Sequence, residues 1–160
     1  MNLKFTQMLI QKHEGYRMTV YRDTRGLPTV GIGFNLADPS AGDTCTVHGL
    51  SLAGLMAGQP LSYSDAVAVM TDQIMQAQLS ARHLIPAFDA LPEDAQTVVV
   101  DMIFNMGSTV FAEFKETIAA LNQSPPNCDL ASECMAQSAW YREVGARGVE
   151  DCSLMFSAGG

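Results

Sequence analysis

Residues 13–35 decide the fold, and they read His13-Glu14-Gly15-Tyr16-Arg17-Met18-Thr19-Val20-Tyr21-Arg22-Asp23-Thr24-Arg25-Gly26-Leu27-Pro28-Thr29-Val30-Gly31-Ile32-Gly33-Phe34-Asn35. Before this stretch, apolar residues recur at helical spacing, and Glu14 closes that pattern. Gly15 is the residue type that ends a helix in a left-handed conformation. The sequence therefore predicts a carboxyl group at the C-terminal end of the first helix.

A hairpin is predicted to follow this helix. The β-branched and aromatic run 18–21 predicts one strand, and the run 29–32 predicts a second. Between them, residues 23–26 have the composition of a turn. Asp23 and Thr29 therefore flank the turn of the predicted hairpin.

The polar residues of this stretch suit the hydrolysis of a glycosidic bond. If the hairpin folds back toward the helix end, Glu14 faces Asp23 and Thr29 across a gap. Glu14 can then protonate a leaving oxygen while the other two hold a water molecule. A lone glutamate near a helix end is usually a solvated residue, and Gly-x-Gly alone is a common turn. The joint spacing of these residues favours an active site.

The spacing also resembles a known family. Glu14-Gly15, followed by Asp23-Thr24-x-Gly26-x-x-Thr29-x-Gly31-Ile32-Gly33, is similar to the motif of the T4-type phage lysozymes, glycoside hydrolase family 24. The resemblance implies that Glu14 is the general acid. It also implies that Asp23 and Thr29 position the water that attacks the anomeric carbon.

The far edge of the motif departs from the family. Phe34 stands where the family has a histidine that is ion-paired to an aspartate, and the partner position here is Gln73. Both members of the pair are replaced together, so no buried charge loses its counterion. Phe34 is then expected to be a cleft-wall or core residue. Gly33, Phe34 and Leu36 are the substrate-binding residues that the resemblance implies here.

The resemblance extends to the second half of the chain. The segment Ile103-Phe104-Asn105-Met106-Gly107 is similar to a family segment whose aromatic and amide side chains line the sugar cleft. Phe104 and Asn105 are therefore candidate substrate contacts, although a core phenylalanine and a helix-capping asparagine remain the alternative. Thr117 stands where the family has a substrate-contacting serine.

One cationic residue also matches the family. Arg147 follows Trp140 at the family spacing, and the family's arginine pairs with the catalytic glutamate. Arg147 is therefore expected to support Glu14 by orienting it. A generic surface arginine is the alternative.

The predicted fold class is α+β, lysozyme-like, with a single domain over residues 1–160. A small β-hairpin lobe is expected at about 16–60, with a short helix at 50–56, and a connecting helix at about 62–84. A larger helical lobe is expected at about 86–160, together with the N-terminal helix 2–14. The active-site cleft is expected between the two lobes.

Composition limits the partners. The formal net charge of −8 and the pI near 4.6 argue against nucleic acid. No apolar run approaches the ~20 residues of a membrane span, and no signal peptide is predicted. We expect a soluble monomer, made in the bacterial cytoplasm, that reaches peptidoglycan glycan strands through a holin or in a virion. An acidic chain lacks long-range attraction to anionic walls.

Cysteine and histidine usage gives little sign of a metal site. Cys45, Cys128, Cys134 and Cys152 allow three complete disulfide pairings, and free buried thiols are the other possibility. A zinc site is not expected, because no CxxC occurs and the three histidines are scattered. The reaction needs no metal or organic cofactor when carboxyl groups carry both proton transfers.

The predicted reaction is hydrolysis of the β-1,4 bond between N-acetylmuramic acid and N-acetylglucosamine in peptidoglycan, with inversion. Inversion implies carboxyl groups roughly 6.5–9.5 Å apart. One alternative is a lytic transglycosylase, which uses a single glutamate and expels an internal anhydro-sugar. Another is a non-catalytic domain that binds the wall. Asp23 and Thr29 favour hydrolysis over both.

Overall fold

The protein combines a small antiparallel sheet with ten α-helices. The computed structural model describes residues 1–160, and its elements, in chain order, are α1 Leu3–Glu14, β1 Arg17–Arg22, β2 Pro28–Gly31, β3 Phe34–Asn35, α2 Ala41–Val47, α3 Leu52–Met56, α4 Tyr63–Leu84, a 3-10 helix Phe88–Ala90, α5 Glu93–Met106, α6 Ser108–Phe111, α7 Lys115–Leu121, α8 Cys128–Gln137, α9 Ala139–Val144 and α10 Ala146–Ser157. The α+β class predicted from the sequence is confirmed.

The chain divides into two compact units. Residues 7–73 form one, called the sheet unit here, and residues 1–6 with 74–160 form the other, called the helical unit. The boundaries fall inside α1 and inside α4.

In the sheet unit the strands lie in the order β1-β2-β3, all antiparallel. Val30 pairs with Phe34, and both side chains are buried. The Tyr16 hydroxyl donates a hydrogen bond of 2.6 Å to the Leu61 carbonyl, and the Leu61 N–H donates to Met18. These bonds fix the segment before α4 against β1.

The helical unit has α5 at its centre. Residues 95–103 of this helix are all buried, as the nearly continuous apolar sequence predicts. The helix begins directly after Pro92, which supplies no N–H, and it ends at Gly107 with a φ of +82°. A side chain would disfavour that left-handed conformation, so glycine defines the helix end.

The predicted end of α1 is confirmed, and serine caps mark the starts of α3 and α4. Helix α1 ends at Glu14, and Gly15 has a φ of +69°. Ser51 caps α3 by accepting a hydrogen bond from the Gly54 N–H. Ser62 accepts one from the Asp65 N–H at the start of the long helix α4, which is observed where it was predicted.

Other elements were missed. Helix α2 was not predicted, because glycine and threonine within it have low helix propensity. Helix α9 was also not predicted. Helix α10 begins at Ala146, and Gly145, with a φ of +58°, separates it from α9.

Two further observations bear on the chemistry. All four cysteine thiols are free, and those of Cys45, Cys128 and Cys152 are buried. None of the helices has the length and apolar character needed to cross a lipid bilayer.

Candidate active site

Glu14 occupies the last position of α1, and its carboxyl group lies against Gly33. A Cβ atom built on Gly33 would lie 3.0 Å from the Cγ, Cδ and Oε2 atoms of Glu14. A contact of 3.0 Å is tighter than nine in ten of those that real Cβ atoms make, so the Glu14 side chain would have to shift by a few tenths of an ångström. Gly33 also has a φ of +72°, which side chains rarely adopt. The glycine thus provides the space in which the Glu14 carboxyl lies.

Asp23 is held rigidly by the hairpin turn. Its Oδ1 atom accepts hydrogen bonds from the backbone N–H groups of Arg25, at 2.9 Å, and Leu27, at 2.8 Å. Its Oδ2 atom lies 3.6 Å from Nε of Arg25. Because backbone donors occupy one oxygen, the orientation of the carboxylate is set, while part of its surface stays accessible.

Thr29 lies on β2, and its hydroxyl donates a hydrogen bond of 3.2 Å to the Leu27 carbonyl. The same Leu27 residue donates its N–H to Asp23. One backbone residue therefore positions both side chains that were predicted to hold the water. The hydroxyl proton of Thr29 is engaged in this hydrogen bond, but the hydroxyl oxygen can still accept one.

Tyr21 belongs to the same constellation and was missed in the sequence analysis. It is the cross-strand partner of Thr29. Burial, and then the negative charges of Glu14 and Asp23, raise the pKa of Tyr21, whereas Arg17 lowers it. Both carboxyl groups are therefore close enough to act on this phenol. Tyr21 was missed although it precedes Asp23 by only two residues, at the end of the predicted strand 18–21.

Phe34 is only 2% exposed, and it pairs with Val30 on the sheet face opposite Thr29. Its position agrees with the core interpretation. Leu36 is buried as well, and its N–H donates to the Pro28 carbonyl. The sugar contacts predicted for Gly33, Phe34 and Leu36 stay predictions.

Gln73 stands where the family places the aspartate of a histidine–aspartate pair. Its Oε1 atom is buried and accepts no hydrogen bond. Elsewhere in the sheet unit, a different histidine–aspartate pair joins Nε2 of His48 to Oδ2 of Asp72 at 2.8 Å. The loss of water from the buried amide oxygen of Gln73 is thus not offset by a hydrogen bond within the protein.

In the helical unit, Phe104 is partly exposed and Asn105 bonds a tryptophan. Oδ1 of Asn105 accepts a hydrogen bond of 3.0 Å from Nε1 of Trp140. Gly107, not Asn105, caps the end of α5, so the alternative of a helix-capping asparagine is wrong. Thr117 is 2% exposed. The substrate contacts predicted for Phe104, Asn105 and Thr117 stay predictions.

Arg147 lies in a buried ion pair. Its Nε and one terminal nitrogen donate to the two carboxylate oxygens of Asp101 at 2.8 and 2.9 Å. Arg147 is 8% exposed, so the alternative of a generic surface arginine is wrong. Arg147 lies in the helical unit and Glu14 in the sheet unit. The predicted role of Arg147 in orienting Glu14 therefore stays a prediction.

A second buried carboxyl group, Asp151, lies near this ion pair. It is fully buried, and neither of its oxygens has a hydrogen-bond partner within the usual limits of distance and angle. Burial, and then the Asp101 carboxylate, raise the pKa of Asp151 to about 10, although Arg147 opposes the shift. Asp151 therefore carries a proton at neutral pH. The sequence gave no sign of it beyond an acidic residue in the last helix.

Two comparisons with known proteins bear on the family of the chain. A sequence model described as phage lysozyme matches residues 11–150. The chain is also 24% identical, over 154 residues, to the pre-baseplate central spike protein Gp5 of Enterobacteria phage T4. That alignment covers 91% of this chain and 26% of the spike protein, so the chain spans about a quarter of that relative's length.

Proposed function

The chain belongs to the phage lysozyme family, and on this premise we propose that it hydrolyses peptidoglycan as an N-acetylmuramidase. The bond cleaved is the β-1,4 linkage between N-acetylmuramic acid and N-acetylglucosamine. The observation that carries the proposal is that Glu14, Asp23 and Thr29 lie in the same unit. The backbone of Leu27 fixes Asp23 and Thr29. Gly33 leaves space for the Glu14 carboxyl group.

Glu14 is the proposed general acid. Gly33 leaves room for its carboxyl group and for the close approach of a sugar to the backbone. In the proposed reaction Glu14 gives its proton to the leaving glycosidic oxygen, and the bond from the anomeric carbon to that oxygen breaks. The released sugar then carries a new hydroxyl group.

Asp23 and Thr29 are proposed to act on the attacking water. The free oxygen lone pairs of both side chains can accept hydrogen bonds from the water, and the Asp23 carboxylate takes a proton as the water oxygen bonds to the anomeric carbon. Attack from the face opposite the leaving group inverts the configuration. A proton NMR spectrum taken early in the digestion tests this step, since inversion gives the α-anomer first.

Residues of the helical unit are proposed to bind the glycan. Because Trp140 occupies Oδ1 of Asn105, the amide NH₂ of Asn105 remains as a donor for a sugar oxygen. Phe104 is proposed to offer an apolar ring face. The contact proposed for Thr117 requires its buried hydroxyl to become accessible. Arg147, fixed by Asp101, is proposed to support Glu14.

A substitution at Glu14 tests the assignment of the acid. Glu14→Gln keeps the side-chain shape but cannot donate the proton, and we expect turnover of purified peptidoglycan to fall by roughly a thousandfold or more. Glu143→Gln is the matched control, because Glu143 is an exposed glutamate on α9. Undiminished lysis by Glu14→Gln would exclude Glu14 as the acid.

The route to the wall is a separate proposal. A free endolysin would be released from the cytoplasm of the host bacterium by a holin. The similarity to a central spike protein supports delivery in a virion as the alternative. Co-sedimentation of the chain with purified phage particles would favour the virion, and its recovery only in the cell lysate would favour the endolysin.

A further inference from the structure

A row of three residues crosses one face of the sheet. Tyr21 pairs with Thr29, and Thr29 pairs in turn with Asn35 on the third strand. Directly opposed residues in antiparallel strands project their side chains to the same face, with Cβ atoms about 4.5–5.5 Å apart. Val30 and Phe34 project to the other, buried face. Tyr21 is therefore a direct neighbour of the proposed water-positioning residue.

The ring and the hydroxyl of Tyr21 have different surroundings. The guanidinium carbon of Arg17 lies 5.5 Å from the ring centroid, which is within the range of a cation–π contact. The side chain is only partly buried, and its hydroxyl makes no hydrogen bond within the chain. By contrast, the hydroxyl groups of Tyr16 and Tyr63 both donate to protein oxygens. The Tyr21 ring is thus positioned, and its hydroxyl is available.

The charges around Tyr21 define what its hydroxyl can do. Two carboxyl groups, Glu14 and Asp23, disfavour the phenolate, and burial does so more strongly. The phenol therefore keeps its proton at neutral pH. A neutral hydroxyl can donate a hydrogen bond, and the oxygens of a sugar can accept one.

We propose that the Tyr21 hydroxyl contacts the glycan directly and donates a hydrogen bond to a sugar oxygen, either a hydroxyl or an acetamido carbonyl oxygen, beside the bond that is cleaved. This inference rests on the proposed function, because it places the sugar at Thr29 and Asp23. It makes Tyr21 a further substrate-binding residue of the same site. The hydroxyl has no other partner whose loss would change the fold.

Binding of a defined oligosaccharide tests the contact. The probe is the tetrasaccharide of β-1,4-linked N-acetylglucosamine, titrated by NMR into the full chain carrying Glu14→Gln, so that the probe is not consumed. Tyr21→Phe removes only the hydroxyl and keeps the ring over Arg17. Tyr141→Phe, on α9 of the helical unit, is the matched control.

We expect Tyr21→Phe to weaken binding between about twofold and tenfold, the range for one hydrogen bond between neutral groups. Tyr141→Phe should bind as the parent does, and all three proteins should melt at the same temperature. Equal affinity of the Tyr21→Phe variant and its parent would overturn the inference, as would a parent that does not bind the tetrasaccharide.

Hydrolysis by the unsubstituted chain separates this inference from the proposed function. If the chain releases no reducing ends but Tyr21→Phe weakens binding, the contact holds and only the proposed hydrolysis fails. If the chain hydrolyses peptidoglycan but binding is unchanged by Tyr21→Phe, only the Tyr21 contact fails.

Discussion

The carboxyl group of Glu14 fills the space that a side chain on Gly33 would need. An alanine at position 33 must therefore displace the carboxyl or move the backbone. The contacts of 3.0 Å imply a shift of a few tenths of an ångström, and since a displacement of about 1 Å in a catalytic group costs about a hundredfold, we expect Gly33→Ala to lower the rate of peptidoglycan hydrolysis by roughly tenfold. Initial rates of turbidity loss in a wall suspension measure the change.

Gly49→Ala is the control for this substitution. Gly49 has a φ of +65°, close to that of Gly33, but no atom lies within 4 Å of its Cβ position. Both variants should lose about 1–2 kcal/mol of stability from the left-handed backbone. Only Gly33→Ala should also lower the rate of hydrolysis. Equal activities in the two variants would contradict the steric explanation.

The buried Asp151 should make stability depend on pH. Folding raises the pKa of this carboxyl from its ordinary value of 3.8 to about 10, so the folded state binds the proton more tightly than the unfolded state. Its contribution to stability is complete below the unfolded pKa and is lost as pH rises through the folded pKa. Asp151→Asn, which cannot ionise, should remove this dependence.

Urea denaturation between pH 5 and pH 9 measures the effect. The free energy of unfolding of the Asp151→Asn variant, relative to the parent, should increase with pH, by at most about 1.4 kcal/mol per pH unit. Asp43→Asn alters an exposed aspartate and should show no such trend. A constant difference between Asp151→Asn and the parent would mean that Asp151 is ionised in the folded chain.

The unsatisfied Gln73 amide predicts a stabilising substitution. Its buried Oε1 atom has lost its hydrogen bond to water without gaining one in the protein. Gln73→Met keeps the length of the side chain and removes the polar group, so we expect a gain of about 1–3 kcal/mol in the free energy of unfolding. Chemical denaturation measures it, with Gln137→Met on α8 as a control. A loss of stability in Gln73→Met would show that the amide is satisfied.

The cysteines should differ in reactivity. Burial, and then the charge of Asp151, raise the pKa of Cys152 to about 11, so its thiolate is scarce at neutral pH. Cys134 is the one thiol of the four that is not buried. In the folded protein, a thiol-specific disulfide reagent should therefore label Cys134 first, and all four should react in denaturant. Rapid labelling of Cys152 in the folded chain would contradict this order.

The sequence alone predicted the elements that local chemistry defines. Glycines at helix ends, serine caps and the hairpin turn around Asp23 depend on residues near in sequence, so their patterns are visible without the fold. The core helix α5 was predictable because its apolar run leaves no exposed face. Helix α2 was missed because its residues have weak intrinsic preference and contacts elsewhere in the chain stabilise it.

The candidate site was predictable to a similar extent. Spacing identified Glu14, Asp23 and Thr29, but not the role of Leu27 in fixing the last two, since backbone hydrogen bonds leave no mark on side-chain identity. Tyr21 was missed because its importance depends on strand register. The burial of Asp151 and the ion pair between Arg147 and Asp101 depend on contacts between residues that are far apart in the chain or on different helices. Neither feature is visible in the local sequence.

A muropeptide analysis tests the central claim most directly. Purified peptidoglycan is digested with the chain, and the soluble products are separated and examined by mass spectrometry. Hydrolysis with a water held by Asp23 and Thr29 predicts products that end in reducing N-acetylmuramic acid. A transglycosylase adds no water, so its products end in the anhydro form and are lighter by the mass of one water molecule, about 18 Da. Such products would contradict the proposed hydrolysis and identify a transglycosylase.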